Sequence, residues 1–295
     1  MANCQIIDGR KIAEEYYARL KADVDYLKEK HHLIPGLAVI LVGDDPSSIV
    51  YVNHKLRRAK EIGINIFEYP LPEKISSKVL IAKIEHLNND HRVHGILLQL
   101  PLPGHLDSHE IINYIDSEKD VDGFTIKNIG LLSSWRDCLE PCTPKGVLIL
   151  LKRIFGEDLS GKKAAVIGRS MIVGRPMATM LLKENCTVTV LHSKSENIEE
   201  ECKRADILIS ATGNPGMLKA SWVKEGACVI DVGIVRREGK LYGDVDFDEV
   251  KQVAGYLTPV PGGVGPMTVA CMLGNTIKAA CAQKKISLEK ERNEK

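Results

Sequence analysis

Apolar positions in the first hundred residues follow two spacings. Ile12, Tyr16, Leu20, Val24 and Leu27 recur every three or four residues, as on an amphipathic helix, and Asp8 stands where it can cap that helix. Residues 4–7 before it read as a short strand. Residues 37–42 form an unbroken apolar run between Pro35-Gly36 and Gly43-Asp44-Asp45-Pro46, which predicts a buried parallel strand that ends in a loop. A helix carrying Tyr51 and Lys55 comes next, then a strand over 64–69, a helix over 77–87 and a strand over 95–98. Alternating strands and helices predict a parallel sheet covered on both faces.

The second half renews the alternation. Residues from about 127 to 144 have few periodic apolar positions and read as a connection between domains, after which Thr143-Pro144 caps and starts a helix through Ile154. Residues 163–167 read as a strand, followed by Gly168-Arg169-Ser170-Met171-Ile172-Val173-Gly174-Arg175-Pro176 and a helix through Leu182. Strands over 187–191, 207–210 and 228–232 follow, with a helix near 199–204, and Ala211-Thr212-Gly213 and Gly233-Ile234 close the later two strands. Three glycines among three prolines make Thr258-Pro259-Val260-Pro261-Gly262-Gly263-Val264-Gly265-Pro266-Met267-Thr268 a stiff loop whose backbone can approach a ligand. Val269, Met272, Leu273, Thr276 and Ala280 then mark a helix, and beyond Lys284 the tail is mostly charged.

Length and charge narrow the function. A chain of 295 residues is long enough for two domains. With 40 Lys+Arg against 39 Asp+Glu the formal charge is +1, without a basic stripe, which argues against nucleic acid or an anionic membrane as partner. The apolar runs are strand-sized, and Asp8, Arg10 and Lys11 interrupt the N-terminus before a signal-peptide core forms. Cys4, Cys138, Cys142, Cys186, Cys202, Cys228, Cys271 and Cys281 include no CxxC and read as reduced thiols of a cytoplasmic enzyme. Cys138 and Cys142 fit cleft-lining thiols or buried spacers. His91 and His94 have no cysteine beside them, so no metal site is expected.

Candidate chemistry concentrates at three places. Tyr51 and Lys55 stand four residues apart and share a helix face. Ile49, Val50, Val52, Leu56 and Ala59 can supply the burial that brings a lysine into acid–base service, with Arg57, Arg58 and Lys60 on the wet side; the bland alternative is a surface lysine snorkelling from its helix. Gln99 falls at the carboxyl end of a strand, where ligands of open α/β sheets gather, and its amide can bond Lys55 or a heterocycle; equally, it suits a loop before a proline turn. Asp122 in Asp120-Val121-Asp122-Gly123-Phe124 is either part of a plain turn or a carboxylate able to accept two parallel N–H bonds from an amino-pyrimidinone edge.

The strand–glycine turn–helix at 163–182 is the arrangement that aims backbone N–H groups at a pyrophosphate, although its G-x-S-x-x-x-G-x-P pattern departs from GxGxxG. An NAD site places Asp or Glu about 20 residues further on. Here that strand ends in His192-Ser193-Lys194, so Arg169, Ser193 and Lys194 favour the 2′-phosphate of NADP unless they are only surface polar groups.

Taken together, YVNHK at 51–55, GILLQLPLP at 95–103, KDVDGF at 119–124, PCTPKG at 141–146, GRSMIVGRP at 168–176 and TPVPGGVGPMT at 258–268 resemble the bifunctional methylenetetrahydrofolate dehydrogenase/methenyltetrahydrofolate cyclohydrolase family, in order over nearly the whole chain. The resemblance implies NADP-dependent oxidation of 5,10-methylenetetrahydrofolate and hydrolysis of the methenyl product to 10-formyltetrahydrofolate in one shared cleft. It implies Lys55 as catalytic lysine, Tyr51 as stacking tyrosine, Gln99 as the residue that tunes Lys55, and Asp122 as the pterin-holding carboxylate. Substrate contacts would come from Ser48, Tyr51, Lys55, Leu100, Pro101, Asp122, Pro261, Gly262, Gly263, Val264 and Gly265. Cofactor contacts would come from Gly168, Arg169, Ser170, Ser193 and Ile234.

The implied fold is α/β: two domains flanking a cleft, with an N-terminal folate-binding catalytic domain over 1–144 completed by a helix over 268–285, a Rossmann-like NADP-binding domain over 145–267, and a charged tail over 286–295. Homodimerisation is the family norm. A short-chain dehydrogenase also uses Tyr-x-x-x-Lys, but there the pair follows the nucleotide turn, whereas Lys55 precedes Gly168. A non-catalytic NADP sensor would have no use for Lys55, Gln99 and Asp122 together.

Overall fold

The computed structural model describes residues 4–237 and 239–288, and the chain divides into two compact units. One comprises Glu15–Glu140 and the chain from Met272; the other comprises Pro141–Cys271 and the N-terminal segment up to Glu14. Most of the charged tail expected over 286–295 lies, from residue 289, outside the described residues. Among the described residues no helix is long and apolar enough to cross a membrane.

The chain opens with β1 (Gln5–Ile6) and α1 (Gly9–His31), whose first turn is capped by Asp8 accepting from the Lys11 N–H. β2 (Gly36–Val42), α2 (Pro46–Ile62), β3 (Asn65–Leu71), α3 (Ser77–Asn89) and β4 (Gly95–Leu98) follow, as the alternating pattern predicts. The sheet is parallel, in order β3-β2-β4, with β2 central and almost wholly buried. Period-two alternation splits its side chains: Ala38, Ile40, Ile96 and Leu98 pack with Leu80, Ile84 and Leu87 of α3.

Two short helices, α4 (Ser108–Ile112) and α5 (Ile126–Ser133), come next. The second falls within the stretch expected to connect the domains, from about 127 to 144: Thr125 caps it, accepting from the Asn128 N–H, and only Asn128 and Leu132 are buried. Eight residues burying so little show no amphipathic period in sequence.

α6 (Cys142–Phe155) starts one residue before the expected Thr143 cap, with Pro141 in the cap position and no side-chain cap bond; Thr143 Oγ1 instead meets Thr268 Oγ1 at 3.0 Å. Beyond it run β5 (Lys163–Ile167), α7 (Gly174–Lys183), β6 (Thr187–Leu191), α8 (Ile198–Lys203), β7 (Ile207–Ser210), β8 (Cys228–Asp231), a hairpin of β9 (Val235–Arg237) and β10 (Lys240–Tyr242), α9 (Phe247–Val250), β11 (Tyr256–Leu257) and α10 (Val264–Lys284).

The larger sheet is parallel throughout, in order β1-β11-β8-β7-β5-β6. Numbered from β5, its first five strands read 2-1-3-4-5, one of the two common doubly wound orders, which places the switch point between β5 and β7. β1 adds to the far edge beside β11, so the first strand of the chain joins this sheet and not β3-β2-β4. A two-residue strand carries no signal of which sheet it completes. α10 begins at Val264, so the stiff loop expected over 258–268 ends at Gly263, and Pro266 falls in the helix's first turn, where its missing N–H costs nothing.

Candidate active site

Asp45 caps α2 through the Ser48 N–H at 2.7 Å, and Pro46 occupies the first turn, where a fixed φ favours helix entry. From that start Ser48, Val52, Lys55, Leu56 and Ala59 fall on the buried side. Ile49 is only partly buried and Val50 is exposed, so burial of the lysine comes from fewer neighbours than the sequence suggests. Arg57 and Lys60 are exposed, while Arg58 lies over the Tyr17 ring and pairs with Glu61.

Lys55 is 6% exposed, and its Nζ donates to Gln99 Oε1 at 3.0 Å. Gln99 is 9% exposed and continues the sheet past β4, its N–H donating to Ile40 O at 2.9 Å; its Nε2 donates to Leu100 O. The backbone fixes one end of the residue and the neighbouring carbonyl the amide nitrogen, so the oxygen is the part presented to the lysine. Tyr51, 37% exposed, has its ring centroid 5.5 Å from Lys55 Nζ, and desolvation raises its phenol above the ordinary value. Leu100 is partly buried and Pro101 exposed, joined by a cis peptide.

Asp122 completes the group. Burial pushes its carboxyl up to about 6, Lys55 pulls it down and Asp120 adds to the rise. The turn that carries it is held by residues the sequence did not single out. Asp120, itself bridged to Ile96 of β4, accepts from the N–H groups of Gly123 at 3.0 Å and Thr125 at 2.7 Å and from Asn128 Nδ2 at 3.0 Å. Asn275 of α10 donates to Val121 O at 2.9 Å and Glu140 O at 2.8 Å. An Asp two residues before the functional one was the available signal; Asn275 had none.

In the other unit, Gly168 leaves β5 at φ 121°, where a Cβ would collide with the Ala211 carbonyl, and a Cβ on Gly174 would collide with Gly168 O. The glycine spacing therefore serves close approach of β5, β7 and α7 at the switch point. The first N–H groups of α7 are engaged locally. Val173 and Gly174 donate to Ser170 Oγ at 3.2 and 3.3 Å, and Arg175 donates to Ser170 O at 3.1 Å. A serine four residues before the helix already serves as its cap.

Arg169 and Ser193 are exposed, as is Ile234 beyond β8. Pro261 to Gly265 belong to this same unit: Gly263 donates to Pro259 O at 2.8 Å, Arg10 donates to Gly262 O at 3.2 Å, and Val264 and Gly265 open α10. None of the eight cysteines forms a disulfide; Cys138 and Cys142 are buried.

The chain has known relatives. The tetrahydrofolate dehydrogenase/cyclohydrolase catalytic-domain family model matches residues 7–122, and the NAD(P)-binding-domain model of the same family matches residues 141–284. The chain is 54% identical over 281 residues to the bifunctional protein FolD of a Wolbachia symbiont of Drosophila simulans, covering 95% of this chain and 96% of that one. It is similar to the crystal structure of the bifunctional dehydrogenase/cyclohydrolase of Campylobacter jejuni, with a TM-score of 0.92, 47% identity and coverage of 95% and 99%. The Trypanosoma brucei enzyme, solved with NADP cofactor and an inhibitor, superposes with a TM-score of 0.91 at 37% identity, covering 97% and 100%.

Proposed function

The chain belongs to the tetrahydrofolate dehydrogenase/cyclohydrolase family, and on that premise we propose how its residues divide the work. The protein is a bifunctional enzyme of one-carbon metabolism. It oxidises 5,10-methylenetetrahydrofolate to 5,10-methenyltetrahydrofolate with NADP, then hydrolyses that product to 10-formyltetrahydrofolate.

The observation that carries the residue assignment is the buried bond from Lys55 to Gln99 with Asp122 beside it. Lys55 is the general acid–base group of the hydrolysis: it takes a proton as water adds to the methenyl carbon and returns one as the carbon–nitrogen bond opens. Gln99 orients Nζ through a neutral oxygen, which fixes the amine without a carboxylate's pull toward the ammonium. Tyr51 stacks on the pterin, and the Asp122 carboxylate accepts its amino and ring N–H groups as a fork. Ser48, Leu100 and Pro101, together with Pro261, Gly262, Gly263, Val264 and Gly265, line the substrate.

NADP is held by Gly168, Arg169, Ser170, Ser193 and Ile234. The fit rests on this chain's own groups: the exposed guanidinium of Arg169, an exposed Ser193, and a β6 end without a carboxylate. When bound, NADP supplies the acceptor for the hydride. The folate unit is Glu15–Glu140 with the chain from Met272, and the nucleotide unit is Pro141–Cys271 with the segment up to Glu14, bounds that differ from the expected 1–144 with 268–285 and 145–267. The working form is a cytoplasmic homodimer; eight cysteines without a disulfide fit a reducing compartment.

Assaying both reactions on one purified preparation tests the reading, methenyltetrahydrofolate being followed by absorbance with NADP and with NAD. Absence of either activity, or equal use of the two cofactors, would overturn the corresponding half.

A further inference from the structure

Asp231 and Asp244 are buried in the unit of the larger sheet, and neither enters the chemistry above. Asp231 ends β8. Its carboxylate gathers three backbone donors, Gly233 and Asp244 onto Oδ1 and Val245 onto Oδ2, each at 3.0 Å. Its own N–H donates to Thr258 Oγ1 at 2.7 Å, just beyond β11. Asp244, two residues after β10, accepts at Oδ2 from Ser210 Oγ at 3.0 Å and from the Thr212 N–H at 2.7 Å. The two carboxylates thus tie together the segments that follow β7, β8 and β10, and the Asp231 N–H adds the one after β11. Ligands of a doubly wound sheet gather at such strand ends, and Ile234 stands in one of these segments.

Burial pushes the Asp231 carboxyl up to about 6, and the neighbouring Asp244 adds to the rise. Asp244 is 0% exposed, yet its Oδ1 has no hydrogen-bond partner. That oxygen lies against Gly233, where a Cβ would collide with it. Apolar residues of like volume would leave the N–H groups of Gly233, Val245 and Thr212 without these acceptors, so the pair holds the segments that carry them.

We propose that Asp231 and Asp244 form a clasp that sets Thr212, Gly233 and Ile234 in the geometry that receives the cofactor, which makes them positioning residues for hydride transfer and not for hydrolysis. The inference rests on the reading that Ile234 contacts NADP.

The oxygens differ in duty, and the test uses that difference. Both oxygens of Asp231 accept, so Asp231→Asn sets an amide donor against a backbone N–H. Only Oδ2 of Asp244 accepts, so Asp244→Asn keeps the needed oxygen and Asp244→Ala removes it. Asp231→Asn and Asp244→Ala are expected to raise both the dissociation constant and the KM for NADP by about tenfold or more, the scale of a lost buried acceptor. Cyclohydrolase turnover, which consumes no cofactor, is expected to fall by no more than about threefold, and Asp244→Asn to recover most of the NADP affinity lost in Asp244→Ala.

Parallel loss of both activities, with no recovery in Asp244→Asn, would make the pair purely structural and overturn the proposal. Should Asp231→Asn fail to fold, the two Asp244 variants decide alone. Ile234→Asp separates the clasp from its premise. If it weakens NADP binding while Asp231→Asn and Asp244→Ala do not, the clasp is wrong and the cofactor site stands; if none of the three does, both are wrong.

Discussion

Lys55 Nζ and Gln99 Oε1 lie 3.0 Å apart with both side chains almost fully buried, so the amine of α2 donates to a neutral acceptor at the end of β4. Lys55→Met removes the amine and keeps much of the stem. Hydride loss from the methylene carbon is driven by the folate nitrogens and the acceptor, whereas hydrolysis needs proton transfers at each step. Cyclohydrolase activity is expected to fall by about 10²–10⁴-fold, and dehydrogenase activity by much less. Methenyltetrahydrofolate should then accumulate in a coupled absorbance assay. An equal or larger fall in the dehydrogenase would reduce Lys55 to a substrate-positioning role.

Gln99→Glu places a carboxylate where the amide oxygen now accepts, and a carboxylate at hydrogen-bond distance favours the ammonium. The rising limb of the cyclohydrolase pH–rate profile is expected to move upward, with activity near pH 7 sharply reduced and the fold intact by circular dichroism. A profile that overlays the parent would show that Gln99 does not tune the lysine.

Asp122 couples function to stability with opposite signs. Its carboxyl is pushed up to about 6 by burial, above the ordinary 3.8, so the folded state holds a proton that the unfolded chain releases earlier. On this group's account stability falls as pH rises from about 4 to about 6 and is level above. Asp122→Asn is therefore expected to be more stable than the parent at pH 7, by about 1–3 kcal/mol, and equal to it near pH 4. The parent's KM for the folate should rise as pH drops below about 6, since a protonated carboxyl cannot accept a two-pronged bond. Calorimetric Tm against pH and KM against pH check the two halves separately.

Arg169 is exposed at the β5–α7 turn, where its backbone carbonyl accepts from Arg175 Nε at 3.1 Å. Arg169→Ala is expected to raise the KM for NADP by roughly ten- to a hundredfold, the scale of a charge-assisted bond, and that for NAD far less. Equal effects on both cofactors would remove Arg169 from the 2′-phosphate site.

Local patterns carried most of the fold. The three- and four-residue recurrence of α1, the apolar run of β2 and the strand–glycine–helix at β5–α7 depend on neighbours within one element, and each formed where its pattern stands. Elements that bury little, such as α5 and the β9–β10 hairpin, left no such trace, and the residues from Val264 to Thr268 read as loop although α10 starts at the first of them.

Sequence by itself determined which groups the chemistry could use, because a lysine one turn beyond a tyrosine, a glutamine at a strand end and a glycine turn are local facts. Tertiary structure alone decided their relations. Lys55 meets Gln99 across 44 residues of chain, Asn275 holds the Asp122 turn across 154, and β1 crosses to β11 at the far end of the sequence. Which acceptor faces which donor, and which carboxylates lose their water, depend on burial and register set by the packed whole, and no window of neighbouring residues encodes them.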